Sequence, residues 1–152
     1  MSSGKEFIEL LKNQREVELK IANALETTAQ STTNPVVKYL INALVLDSKK
    51  HAGILQAIVD LRFGWQALSD AEKKEMMKAL ERHVEAEKQM LADTDNLIKK
   101  IDDSLVKSGL QIIAEDEKKH HKILGALIET LSTKTNQVDR WQWMLKEYSF
   151  GC

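Results

Sequence analysis

The sequence predicts an all-α protein: an antiparallel four-helix bundle with an internal two-fold repeat, followed by a short C-terminal helix. Apolar residues recur at steps of three and four through most of the chain, which is the period of one helix face. The 152 residues include only six Gly and one Pro, and runs of β-branched residues are almost absent. Little in the chain therefore favours strands or hairpin turns.

Residues typical of helix ends divide the chain into five helices. Apolar periodicity begins the first helix near residue 4, whereas Asn34 and Pro35 have the residue types favoured at the N-cap and first position of the second. Ser69 and Glu72 have the spacing of a capping box at the start of the third. A polar break at 102–104 begins the fourth. The predicted helices cover residues 4–30, 35–62, 70–100, 104–132 and 136–147.

The short connections make sequential helices antiparallel neighbours, although the 63–69 link could cross over the bundle. Each long helix would extend roughly 40 Å at 1.5 Å per residue. We expect residues 1–133 to form one four-helix bundle and residues 134–152 to form a C-terminal tail with a short helix. Thr135 and Asn136 mark the end of the fourth helix and the start of the short one.

A stretch of twelve residues occurs twice at an offset of 69: LDSKKHAGILQA from Leu46 and EDEKKHHKILGA from Glu115. The copies agree at seven of the twelve positions, and one of the five differences is Ser48 against Glu117. The apolar stripes of the first and third helices, and of the second and fourth, also superpose at this offset. The repeat therefore covers the whole four-helix body as two helix pairs with pseudo-two-fold symmetry.

Each predicted core stripe is apolar at both ends and polar in the middle. The polar positions are Glu18, His51, Glu87, Glu117 and His120, which fall at one level of the predicted bundle. Buried carboxylates are costly unless they are paired, and Lys and Arg are scarce on these stripes. Carboxylate and imidazole together suit iron, manganese or zinc. The pattern therefore predicts a metal site.

This pattern resembles the ferritin-like superfamily of di-iron carboxylate proteins, and the rubrerythrin branch in particular. That family takes a Glu from each of two helices and Glu-x-x-His from each of the other two. By this resemblance Glu18 and Glu87 match the terminal carboxylates and Glu117 matches a bridging carboxylate. His51 and His120 match the imidazole ligands.

Ser48 stands where the family has its second bridging Glu. A hydroxyl is a poor ligand for divalent iron, so one bridge and one negative charge are lost. His83, one turn before Glu87, could be a sixth donor or a hydrogen-bond partner of a ligand. Asp47, about 100° around the helix from Ser48, is not expected to replace it. The resemblance implies one ion on Glu18, His51 and Glu117, and another on Glu87, His120 and Glu117.

The resemblance implies two iron ions, with manganese or zinc as alternatives, and an oxidoreductase acting on dioxygen or hydrogen peroxide, of peroxidase or ferroxidase type. No catalytic residues are predicted beyond the metal ligands. Cys152 is the only cysteine, so there is no rubredoxin-type Cys₄ module, and electrons would come from an external donor protein or from iron itself. Two alternatives remain: a bundle with a degenerate or mononuclear site acting as a structural or interaction protein, and iron oxidation and storage.

A net charge of −1 gives no electrostatic reason to expect nucleic acid or a membrane surface as a partner. The N-terminus does not resemble a signal peptide and no apolar run approaches membrane-spanning length, so we expect a cytoplasmic protein. The aromatic tail VDRWQWMLKEYSFGC would either cap its own bundle or dock a second subunit or a partner protein. A homo-oligomer, in the first instance a dimer, is expected.

Overall fold

The computed structural model describes residues 4–133 and 138–149, and all regular structure within them is helical. The helices are α1 (Gly4–Gln30), α2 (Pro35–Phe63), α3 (Asp70–Lys100), α4 (Ser104–Ser132) and α5 (Val138–Ser149). The all-α class is confirmed, and each described helix end lies within two residues of its predicted position. Thr135 and Asn136, the predicted boundary before α5, lie outside the described residues.

Side-chain caps begin α2 and α4, and they occupy equivalent positions in the two repeats. The Asn34 side chain accepts hydrogen bonds from the backbone N–H groups of Val36 and Val37 at 3.0 and 3.1 Å. Sixty-nine residues later, the Asp103 carboxylate accepts one from the N–H of Val106 at 2.9 Å. Each cap satisfies donors that the first helical turn leaves free. The internal repeat therefore extends to the residues that begin its second helices.

The predicted capping box at the start of α3 is present. The Ser69 hydroxyl accepts a hydrogen bond from the N–H of Glu72 at 3.3 Å, and the Glu72 carboxylate accepts one from the N–H of Ser69 at 2.8 Å. The hydrogen bonds from the Ser69 hydroxyl and N–H lower the pKa of the Glu72 carboxyl. This box therefore contributes to stability above the ordinary pKa of a Glu, and its contribution is lost as the pH falls through the lowered value.

The chain forms two compact units, each built on one helix pair. The first unit contains α1 packed on α2 and the end of α5 from Leu145; the second contains α3 packed on α4 and α5 as far as Met144. The side chains buried in the first unit are small, which lets its helices approach closely. They are Ala22, Ala29, Val45, Ser48 and Ala52. An ion pair between Lys49 and Glu26 also joins α1 to α2.

Each helix pair leaves one apolar face exposed, and we call it the open face. In the first unit it includes Phe7, Ile21, Val37 and Leu44; in the second it includes the repeat-equivalent residues Met76, Met90, Val106 and Ile113. Exposure agrees between the copies, at 48% for Phe7 and 43% for Met76, and at 54% for Leu44 and 47% for Ile113. The two units therefore present the same kind of surface.

The first half of α5 packs against the end of α4 within the second unit. The Thr130 hydroxyl donates a hydrogen bond to the sulfur of the buried Met144 at 3.2 Å. The same hydroxyl accepts one from Nε of Arg140 at 3.2 Å, and the Arg140 guanidinium lies 4.6 Å from the ring centroid of Trp143.

Among the described residues, no helix has both the length and the apolar composition needed to cross a bilayer.

Candidate metal centre

In the second unit, α3 and α4 bring three predicted ligands together. Glu87, Glu117 and His120 each offer one ligand atom, and these atoms lie within 4.8 Å of one another. Glu117 and His120 are one turn apart on the same side of α4, with 3.5 Å between Glu117 Oε2 and His120 Nδ1. No other group of three such donors meets this spacing among the described residues.

Glu87 is the most deeply buried member of this group, with 7% of its surface exposed. Its Oε1 lies 3.2 Å from Nε2 of His83, one turn earlier on α3. Its Oε2 is buried and has no hydrogen-bond partner among the described residues. A buried carboxylate oxygen without a donor is unfavourable, and a bound cation is one partner that would satisfy it.

The distances suit a first-row transition metal after small side-chain rotations. Bonds from such ions to nitrogen and carboxylate oxygen are about 2.0–2.2 Å, so two donors on adjacent sides of an ion are about 3–3.5 Å apart. The three donor atoms lie within 4.8 Å of one another and would move closer on binding one ion. The His120 side chain is 55% exposed and Glu117 only 16%, so the group is open on the imidazole side and closed on the carboxylate side.

The first unit holds the equivalent positions with a different set of groups. Glu18 and His51 meet, with 3.4 Å between Glu18 Oε1 and His51 Nδ1. Ser48, the counterpart of Glu117, is buried, with 8% exposure. Three residues before His51, at the position that Glu117 has before His120, the chain has Ser48, and the contact of His51 is with Glu18 of the neighbouring helix.

Asp47 does not take the place of the missing carboxylate. It is exposed, and its Oδ1 pairs with the ammonium of Lys50 at 3.2 Å. Asp116 and Lys119 make the same pair at 3.0 Å in the second repeat, beside an intact Glu117. The Asp–Lys pair is thus a repeated feature of the helix surface, separate from the donor groups.

The predicted site residues therefore lie in two groups, one in each unit. The structure brings Glu87, Glu117 and His120 together, with His83 against Glu87, and it brings Glu18 to His51 beside Ser48. Sequence reasoning missed one property, which is the unpartnered oxygen of Glu87. The spacing of the residues gives no signal for it.

Comparisons with known proteins assign no family. No family model matches the chain, and neither a curated protein nor a solved structure matches it. The ferritin-like resemblance therefore stays a prediction from the residues themselves. Function has to be inferred from the chemistry of the two donor groups.

Proposed function

We propose that the chain is a metal-binding helical protein of ferritin-like construction, with a metal ion held by Glu87, Glu117 and His120. The observation that carries this proposal is the buried, unpartnered Oε2 of Glu87, which belongs to a group of three donors spaced for one ion. Two carboxylates and an imidazole suit iron, manganese or zinc. The ion would supply the positive charge that this buried carboxylate lacks.

We also propose that the four long helices form the antiparallel bundle that the sequence predicts. Support comes from their matched apolar residues, since Phe7 and Met76, like Leu44 and Ile113, are about half exposed in their own helix pairs. Completing the burial of such a side chain is worth roughly 1 kcal/mol, about half of the value for full burial. Eight such residues would together favour the bundle.

Iron or manganese at this site would supply redox chemistry toward dioxygen or hydrogen peroxide, as in the proteins that the sequence resembles. The two carboxylates, Glu87 and Glu117, would provide two negative charges that favour an oxidised ion. His83 contacts Oε1 of Glu87 at 3.2 Å and would orient that carboxylate.

Metal analysis of Glu117→Ala tests this proposal. The protein is purified without oxygen, supplied with ferrous iron, desalted and analysed for bound metal. We expect stoichiometric iron in the wild type and a loss of at least tenfold in Glu117→Ala. Glu115→Ala is the matched control, because Glu115 is an exposed carboxylate on the same helix that does not belong to the group. Full loading of Glu117→Ala would refute the assignment.

The second candidate is a metal-free structural or interaction protein, and the buried Ser48 at a ligand position favours it. In that case the donor groups would be remnants and the open faces would serve only for packing. The same metal analysis separates the two candidates. Wild-type protein that retains no iron, manganese or zinc would support the metal-free alternative.

A further inference from the structure

We infer that the chain holds a single metal ion, in the α3–α4 pair, and that Ser48 prevents the α1–α2 pair from holding another. This step rests on the proposed metal-binding function and concerns how many ions the chain takes and where. The ferritin-like resemblance implies two ions per chain, whereas the donor groups of the two units indicate one.

The repeat makes the two units a direct comparison at three matched ligand positions. Glu18 corresponds to Glu87 and His51 to His120, whereas Ser48 corresponds to Glu117. The second unit therefore has three donors within 4.8 Å of one another. The first has two donors, Glu18 and His51, and a buried hydroxyl.

A difference in charge accompanies the difference in donors. The second unit places two carboxylates beside one imidazole, whereas the first places one carboxylate there. A serine side chain is shorter than a glutamate by two carbons, and its neutral hydroxyl is a weak ligand for a divalent ion. Ser48 is also buried, at 8% exposure, and is too short to supply the carboxylate that Glu117 supplies in the second unit. The first unit therefore has neither the charge nor the third contact that an ion needs.

Burial separates the two carboxylates in the same way. Glu87 has a buried oxygen without a partner, and this is the one buried side-chain polar atom so left among the described residues. Glu18 is more exposed, at 17%, and no oxygen of its carboxylate is buried without a partner. Only the second unit therefore has a buried carboxylate oxygen that a cation would satisfy, among the described residues.

Exchange of Ser48 and Glu117 tests this inference on the full chain with redox-inactive Zn²⁺ and with Co²⁺, whose absorption reports its ligands. Bound Zn²⁺ is counted by elemental analysis after desalting. We expect one ion in the wild type, two in Ser48→Glu, none in Glu117→Ser, and one in the double exchange. Ser48→Ala is the matched control and should keep one ion, because the hydroxyl is not a ligand. Circular dichroism checks that each variant is folded.

The possible outcomes separate the failure of this inference from failure of the proposed function. Wild-type protein that binds two ions would overturn the single-ion inference and leave metal binding intact, whereas no bound ion would refute the proposed function itself. A folded Ser48→Glu that still binds one ion would show that Ser48 is not the limiting residue.

Glu18→Gln tests the single-ion inference if Ser48→Glu does not fold. It removes the only carboxylate of the first donor group and should leave one ion bound with unchanged affinity. A tenfold or greater loss of Zn²⁺ affinity in Glu18→Gln would overturn the inference, because the ion would then depend on the first unit.

Discussion

Replacing Glu87 by Met should stabilise the metal-free protein while abolishing its stabilisation by metal. Without an ion, Oε2 of Glu87 is buried and unpartnered, and its Oε1 lies 3.2 Å from Nε2 of the exposed His83. A buried unsatisfied polar group costs about 1–3 kcal/mol, and a charged one more. Met fills a similar volume without a charge, so we expect a gain of about 2 kcal/mol in the free energy of unfolding with a chelator present.

Urea unfolding followed by circular dichroism measures this effect, with the chelator and with Zn²⁺. At a free Zn²⁺ concentration of 100 times the Kd, a bound ion stabilises a protein by about 2.7 kcal/mol. The wild type should show that gain, and Glu87→Met should show none. Glu18→Met is the matched control and should change the metal-free stability little, because Glu18 has no buried oxygen without a partner. A loss of stability in metal-free Glu87→Met would refute the reasoning.

Three further predictions concern a helix cap, the packing of α5 and one of the proposed metal ligands. Asn34→Ala removes the cap that accepts two backbone hydrogen bonds at the start of α2, and should lower the free energy of unfolding by about 1 kcal/mol in urea. Met144→Ala should cost about 3 kcal/mol, because Met144 is buried against Thr130, and the change in tryptophan fluorescence during unfolding would show whether α5 detaches first. His120→Ala should weaken Zn²⁺ binding at least tenfold in a competition titration, whereas His121→Ala, which changes an exposed residue outside the donor group, should leave it unchanged.

Helix positions could be predicted from the sequence because the signals that set them are local. Asn34 and Ser69 each bond to backbone or side chains within three residues, so their role is visible in a short window. Membership of the donor groups was also predictable, since helical spacing places Glu117 and His120 on one side of α4. These features need no knowledge of how one helix packs on another.

Burial was less predictable, because it depends on which side of a helix its neighbour covers. Phe7 and Met76 belong to the predicted core stripes, yet both are exposed in their helix pairs. Apolar periodicity identifies a broad apolar side but does not show which part of it the paired helix covers. The missing partner of the buried Glu87 Oε2 could not be predicted for the same reason, since it depends on how the surrounding side chains pack.

The two repeats share some features of helix structure and differ at ligand positions. Their second-helix caps and their open faces correspond position by position. The differences fall at two donor positions, where the second unit has His83 and Glu117 and the first has Gln14 and Ser48. The first unit therefore lacks one imidazole and one carboxylate that the second unit has, although its open face is equally apolar. The open faces are thus shared by both units, whereas under the proposed function an ion would be held by α3 and α4 alone.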